Sequence, residues 1–337
     1  MTLTRRQFTM TAAGAAVPGF LLINPQARAA EITWKASTSV AIDHPINVRL
    51  NEAAKRILEQ TGGKLDLKVF PSAQLGGDVD VLSQTLSGAV SLQMISPITV
   101  AGRAPTAALH GIGFAFKDYA QVWAAMDGDV GAFQRQALDK AGYFTFPKFF
   151  DNGFRQLTTS TRPVKTVDDV RNLKVRVPSA PLWVSLWKEL GASPTSIDLS
   201  EVYSALQTKI VDGQENPPQL IESNKLYEVQ KYCALTSHMW DGWAILCGKK
   251  TWQKLPENVQ EIVTRNLHQA VEDERRDIVS STEATKARLT KLGLAFNEVD
   301  RDSFRKALAA TSYYKTWREK FGEQGWAALE KYSGKLG

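Results

Sequence analysis

DNGFRQLTTSTRPVKTVDDVRNLKVRVPSAPLWVSLWKELGASPTSIDLSEVYSALQTKIVDGQENPP, residues 151–218, alternates strand and helix signals along its whole length. Phe154–Thr159 reads as a strand, Val167–Arg171 as a short helical turn, and Leu173–Val177 as a strand stopped by Pro178. Ala180–Leu190 is helical, apolar at Leu182, Leu186, Trp187 and Leu190, and Gly191 closes it. Glu201–Lys209 is a further helix, and Ile210-Val211-Asp212-Gly213 supplies strand and turn. Strands separated by helices require crossover connections, so the stretch predicts βαβ units and a mainly parallel sheet.

The same alternation runs upstream. Glu31–Val40 reads as a strand, with Ile32, Trp34 and Ala36 alternating against polar neighbours. After Asp43-His44-Pro45 a helical pattern follows at Val48, Leu50, Ala53, Ala54, Ile57 and Leu58, ended by Gly62-Gly63. Leu65–Phe70 alternates again, Asp78 is the expected cap of a helix ending near Gly88, and Ala89–Ile95 is a short strand. Downstream, Leu235–Cys247 adds strand material, and Glu257 to Leu292 contains neither Gly nor Pro. Apolar residues recur there at 3–4 spacing from Val259 to Ile278. One continuous helix would reach roughly 54 Å, longer than a ~100-residue domain is wide. Ser280 with Glu283 could instead start a second helix, and both forms are open. Residues 300–337 read as a charged helical tail.

At ~150 residues per domain, 337 residues suggest two domains, each able to bury a core. With 43% apolar and 23% charged residues the composition is that of a globular protein. The formal charge of +6 falls to +3 once Arg5, Arg6 and Arg28 of the first thirty residues are set aside. Basic and acidic residues alternate along the remainder, so no stripe for nucleic acid is expected. Residues 1–30 read as a cleaved signal peptide of twin-arginine type: Arg5-Arg6 and Phe8, an uncharged run from Thr9 to Ile23, and Ala27-Arg28-Ala29 before Glu31. About fifteen apolar residues interrupted by Gly14, Pro18 and Gly19 fall short of a membrane span. The mature chain is therefore expected in the periplasm of a Gram-negative cell. Cys233 and Cys247 lie in apolar stretches; two buried thiols are the expectation, and a single bridge is the alternative in an oxidising compartment.

Motifs of catalysis are missing. The sequence has no H-E-x-x-H, no G-x-S-x-G, no P-loop and no G-x-G-x-x-G between strand and helix, and its four histidines are scattered. No Cys/His spacing suggests a metal, and no cofactor is expected. Binding becomes the leading function class. Arg155 begins the strand Phe154–Thr159, Arg176 ends the strand before Pro178, and Asn216 lies in the VDGQENP turn. Ligands of open α/β sheets gather beyond the carboxyl ends of strands, and guanidinium forks match carboxylates. Two arginines and a carboxamide there would form a carboxylate clamp; surface arginines in salt bridges are the plainer alternative.

The LKVRVP, GASPT, SEVYSALQT and VDGQENP segments, with PSAQLGGD at 71–78 and LPENVQEIV at 255–263, resemble the extracytoplasmic solute-binding proteins of tripartite ATP-independent periplasmic (TRAP) transporters. The resemblance covers nearly the whole mature chain. It implies two α/β lobes around a ligand cleft, joined by crossing strands and a long helix that spans both. One lobe would hold residues 31–153 plus about 241–280, the other 154–240 plus about 281–337. The family's carboxylate-binding arginine falls on Arg176, its second polar contact on Arg155 and its asparagine on Asn216. A branch binding keto acids through a metal ion carries Gln and Glu at the positions of Arg155 and Asn216, so a metal-bridged ligand is not implied. Ile95-Ser96-Pro97-Ile98 stands where the sialic-acid branch has an acid and an arginine, which argues against sialic acid.

Trp183 follows the clamp loop, and His238-Met239-Trp240-Asp241-Gly242-Trp243 falls where the chain crosses back between lobes. An aromatic wall formed by Trp183 and Trp240 would favour a monocarboxylate with an apolar or aromatic body; a C4-dicarboxylate is the other expected ligand, and core packing is the plainer role of each tryptophan. The expected function is a monomeric receptor that delivers a small organic acid to integral-membrane permease subunits. An exported α/β enzyme acting on a carboxylic acid is the alternative.

Overall fold

The computed structural model describes residues 30–337, so the twin-arginine and cleavage stretches lie outside the described residues. Its strands are β1 (Ile32–Ser37), β2 (Leu65–Phe70), β3 (Leu92–Ile95), β4 (Tyr143–Thr145), β5 (Phe150–Thr159), β6 (Lys174–Val177), β7 (Ser193–Ser196), β8 (Gly213–Asn216), β9 (Tyr232–Gly248) and β10 (Ala295–Glu298). They join in the order β2-β1-β3-β9-β5-β8-β6-β7, with β4 and β10 also paired to β9. Two parallel blocks, β2-β1-β3 and β8-β6-β7, arise from the strand–helix alternation of the sequence. Antiparallel β9 and β5 stand between them. The first half of β9 pairs with β5 and β10, and its end pairs with β3 and β4. One strand thus serves both halves of a two-lobed α/β fold.

Side-chain alternation along β9 feeds two cores. Ala244 and Leu246 point into one, Trp243, Ile245 and Cys247 into the other. The first core takes the helices Pro181–Glu189 and Tyr313–Ser333, the second Pro45–Gln60 and Glu257–Lys291. The last of these is continuous over 35 residues. Ser280 does not cap a new helix; its hydroxyl turns back to the Asp277 carbonyl at 3.2 Å. The long helix packs on Pro45–Gln60, on β5 and on Pro218–Ser223, and so touches elements on both sides of the crossing strands.

Several boundaries differ from the sequence expectation. The strand expected at Ile210–Val211 forms instead at Gly213–Asn216, and Ile210 is exposed. Gly77, not Asp78, occupies the cap position of the helix Asp78–Ser87. The C-terminal segment Tyr313–Ser333, helical on either side of a break at Gly322 (φ 74°), packs against Pro105–Gly111 and Asp129–Lys140 as well as against Pro181–Glu189. Cys233 and Cys247 are free, buried thiols near opposite ends of β9. An extended strand holds them roughly 45 Å apart, far beyond the ~5.5 Å between Cα atoms that a bridge needs. Among the described residues no helix is long and apolar enough to cross a membrane.

Candidate functional site

Arg155, Arg176 and Asn216 come together where β5, β6 and β8 adjoin. Arg176 stands opposite Gln214 in the β6–β8 register, Asn216 opposite Gln156 in the β5–β8 register, and Arg155 opposite Met239 of β9. The β5–β9 register shifts between Asp151 and Gly153 and again between Arg155 and Leu157. Gly153, with φ of 112°, makes the first bulge possible; a Cβ there would lie 3.1 Å from the Pro217 side chain in a left-handed backbone. Each of the three polar residues is only 2% exposed.

Two buried guanidinium groups at one place call for compensation, and the structure distributes it unequally. Arg155 donates from Nε to Glu215 Oε2 at 2.5 Å and from Nη2 to Oε1 at 2.8 Å, with a further Nη2 bond to the Glu215 carbonyl. Its Nη1 reaches Asp241 Oδ2 at 2.9 Å. Burial would lower the Arg155 pKa, but Glu215 and Asp241 outweigh it and hold the group charged. Burial likewise pushes Glu215 upward, and Arg155 with His238 overcomes that push to keep it an anion. A carboxylate only accepts, so His238 Nε2 carries the proton toward Glu215 at 2.9 Å, and its Nδ1 accepts from the Thr236 hydroxyl at 2.8 Å. Burial keeps His238 below its ordinary pKa, consistent with a neutral ring. Asp241 ties the cluster to both halves of the sheet: Ser96 beyond β3 donates to it at 2.6 Å and Asn152 of β5 at 3.0 Å. Arg155 is thus matched by two carboxylates.

Arg176 is not. Its Nε donates to the Ile197 carbonyl at 2.7 Å, and no carboxylate pairs with it among the described residues, leaving both terminal nitrogens uncommitted. Burial, then the nearby Arg155, brings its pKa down to about 10, which still leaves it charged at neutral pH. Asn216 donates to Gln214 Oε1 at 2.6 Å. Asp78 is the acid that faces this corner from the other half of the sheet. Burial pushes its carboxyl up to about 7, and Asp198 adds to the rise against the opposing pull of Ser39 and Arg176. Gln93 Oε1, Asn152 Oδ1 and Trp183 Nε1 are buried without a partner among the described residues. The arrangement can grip an anion at Arg176 and exchange hydrogen bonds around it. Among the described residues no group of three or more His, Cys, Asp or Glu side chains could hold a metal ion.

The tryptophans part company. Trp183 is buried with its ring 5.3 Å from the Arg155 guanidinium carbon. Trp240 lies in the core behind the cluster: its Nε1 donates to Asp151 at 2.8 Å, and its ring packs edge-on against His110, Phe116 and Trp123. Sequence reasoning passed over Glu215, His238 and Asp241 as members of the site, although Glu215 lies inside the quoted VDGQENP turn. The available signal was electrostatic: a buried arginine demands a carboxylate, and Glu215 adjoins Asn216. Asp78 and Asp198 gave no such signal, because the chain brings them together from separate units.

Residues 36–320 match the family model of the bacterial extracellular solute-binding proteins, family 7, and the chain belongs to that family. A solute-binding protein of Roseobacter denitrificans is 34% identical over 247 residues, covering 73% of this chain and 75% of the relative. The crystal structure of that organism's TRAP periplasmic solute-binding protein, with bound L-galactonate, superimposes with a TM-score of 0.83 at 29% identity, covering 90% of this chain and 99% of that one. A TRAP periplasmic solute-binding protein of Sulfurospirillum deleyianum with bound succinate gives 0.85 at 27% identity, again over 90% and 99%. The chain is accordingly a TRAP-type solute-binding protein, the binding component of a transporter and not an enzyme.

Proposed function

We propose that the receptor captures a hydroxylated monocarboxylic acid, holding its carboxylate bidentately on Arg176, and delivers it to membrane permease subunits after export through a twin-arginine leader. The observation that carries this is the buried Arg176 guanidinium, the one arginine of the clamp that no carboxylate among the described residues neutralises. Closure around it removes water, which strengthens a charge-assisted fork. Arg155, already matched by Glu215 and Asp241, orients rather than anchors. A second carboxylate, as in a C4-dicarboxylate, would therefore meet no uncommitted cation from Arg155 and would approach Asp78. Hydroxyl groups suit the surroundings better. Gln93 Oε1 and Asn152 Oδ1, on side chains that bond the Asp78 carbonyl and Asp241, are buried acceptors without a partner among the described residues, and the Trp183 N–H is such a donor. The apolar-bodied acid expected from the sequence needed Trp240 as a wall, and Trp240 is occupied in the core.

Thermal-shift screening of the mature protein against L-galactonate, D-glucuronate, succinate and an arylacetate separates these ligands, since native-state binding raises the melting temperature. The two sugar acids should give the larger shifts. A larger shift with succinate or the arylacetate overturns the hydroxy-acid reading, and recovery of chemically altered acid overturns the receptor reading in favour of an enzyme.

A further inference from the structure

The geometry points to Asp198 as a latch that holds the cleft shut over a captured acid, by capping a helix that belongs to the opposite half of the sheet. The inference rests on the receptor reading above. The helix Asp78–Ser87 follows β2 and starts at Gly77, which has no side chain to cap it. The leading N–H groups of a helix lack partners within it and are ordinarily met by a side-chain oxygen at the cap position. Here the oxygen arrives from across the molecule: Asp198 Oδ2 accepts the Asp78 backbone N–H at 3.0 Å. Asp198 lies just beyond β7, in the β8-β6-β7 block.

Both sides of this contact are fixed by other bonds. Asp198 Oδ1 accepts from the Ser200 backbone at 3.1 Å and from its hydroxyl at 2.8 Å, which sets the carboxylate plane. The carbonyl of the preceding residue, Ile197, is the sole acceptor of the Arg176 side chain among the described residues. On the other side the Asp78 carbonyl accepts from Gln93 Nε2 of β3 at 2.8 Å. Residues 197 and 198 therefore connect the acid-gripping arginine to the opposite half of the sheet. Gly77 provides the clearance, for a Cβ there would stand 2.9 Å from Asp198 Oδ2.

Arg176 is nearly inaccessible in this arrangement, so an acid can enter only if the two halves separate. Separation breaks the Asp198–Asp78 bond, which spans the halves, and spares the bonds from Asp198 to Ser200 and from Ile197 to Arg176, which do not. An interaction made only in the closed state stabilises that state and slows ligand release, with little effect on encounter.

Stopped-flow tryptophan fluorescence of wild type, Asp198→Ala, Asp198→Asn and Gly77→Ala tests this. The probe is whichever of L-galactonate, D-glucuronate and succinate gives wild type the largest thermal shift. Loss of a helix cap corresponds to roughly 3- to 30-fold. Asp198→Ala should raise the dissociation rate by that factor and leave the association rate within about twofold. Asp198→Asn, which keeps an acceptor oxygen, should lose less. Gly77→Ala should raise the dissociation rate without touching Asp198, which separates a latch from a direct ligand contact. The unliganded melting temperature of Gly77→Ala should stay close to wild type, as a merely structural role would not allow, whereas that of Asp198→Ala should fall modestly because its bonds to Ser200 are lost in every state. Dissociation rates unchanged in both Asp198→Ala and Gly77→Ala overturn the latch and leave the receptor reading standing. Wild type binding none of the three acids overturns that reading, and the latch falls with it.

Discussion

Arg176 and the carboxyl pair Asp151–Glu274 show how burial without a matched partner marks residues that matter. Removing one member of a desolvated ion pair typically costs ~2–5 kcal/mol, because the other charge stays buried alone. Arg176→Ala should therefore weaken acid binding on the order of 30- to several-thousand-fold by calorimetric titration, while folding normally. Arg176→Lys keeps the charge and loses the fork, so it too should be clearly impaired. Binding by Arg176→Ala within about threefold of wild type would place the carboxylate elsewhere. The acid pair sits apart from the ligand, where β5 meets the long helix. The Asp151 N–H donates to Glu274 Oε2 at 2.9 Å, and Asp151 Oδ2 and Glu274 Oε1 are buried without partners among the described residues. Trp240 donates to Asp151, and Tyr119 also faces it. Asp241 and Asp277 add negative charge nearby, and the adjacent cation, Arg275, is already bound to Asp127 and stacked on Trp123. Burial raises both carboxyls, Asp151 raises Glu274 further and Asp241 raises Asp151, so the folded protein retains a proton that the unfolded chain releases first. Glu274, with the fewer donors, is its holder. Stability from such a raised pair is whole below the ordinary carboxyl range near ~4 and is lost as pH rises through the raised values. Denaturant unfolding should show stability declining on the order of 1–3 kcal/mol from about pH 5 to about pH 8, and Glu274→Gln should flatten that decline. Equal slopes in both proteins would refute the shared proton.

At the level of elements, β5 and β9 carry the site because their pairing is irregular where they cross from one half to the other. Gly153 makes the first of those bulges, and Gly153→Ala would place a side chain in a left-handed backbone against Pro217. A cost of ~1–3 kcal/mol is expected by denaturant unfolding, with weaker acid binding because Arg155 lies two residues on. A variant as stable as wild type would show that the bulge relaxes freely. The elements themselves were legible wherever a periodic pattern was bounded by a breaker: Leu65–Phe70 before Pro71 appears with its expected limits, and Lys174–Val177 stops at Pro178. The register of β8 was not legible, because Gly213–Asn216 is polar and buried on every residue, and neither helical nor alternating periodicity marks such a strand. The helix cap falls at Gly77 and not at Asp78 for a related reason. Local spacing names the nearest capping residue, whereas the cap oxygen belongs to Asp198, which only the folded chain brings near. Arg155, Arg176 and Asn216 could be read as a polar group, although Arg155 stands in the middle of β5 and not at the start of its strand, and Asn216 ends β8 and does not lie in a turn. That Arg155 is neutralised and Arg176 is not depends on Glu215 and Asp241, set by the pairing of β5 with β8 and β9.

The whole molecule is organised around an anchor that solvent barely reaches. Arg176 is 2% exposed with the halves together, so a binding protein built this way must spend part of its time open in order to load. The halves have only a few continuous connections through which to hinge, among them β9, β5 and the helix Glu257–Lys291. Each is a regular element with register shifts or bulges confined to the β5–β9 pair, so opening should proceed by small dihedral changes near residues 151–157 and leave helices and strands intact. An acid that bridges Arg176 to the opposite wall stabilises the closed form by its differential affinity alone. A compact closed chain of this size should have a radius of gyration of about 19–20 Å. Small-angle scattering of the unliganded mature protein should give a larger value, falling toward that figure at saturating acid, while far-UV circular dichroism stays constant. The fall should be absent in Arg176→Ala at the same acid concentration, because the anchor that rewards closure is gone. An identical radius with and without bound acid in wild type would mean that the acid enters a cleft that is already closed, and the burial of Arg176 would then have to be relieved by local side-chain motion instead of by movement of the two halves.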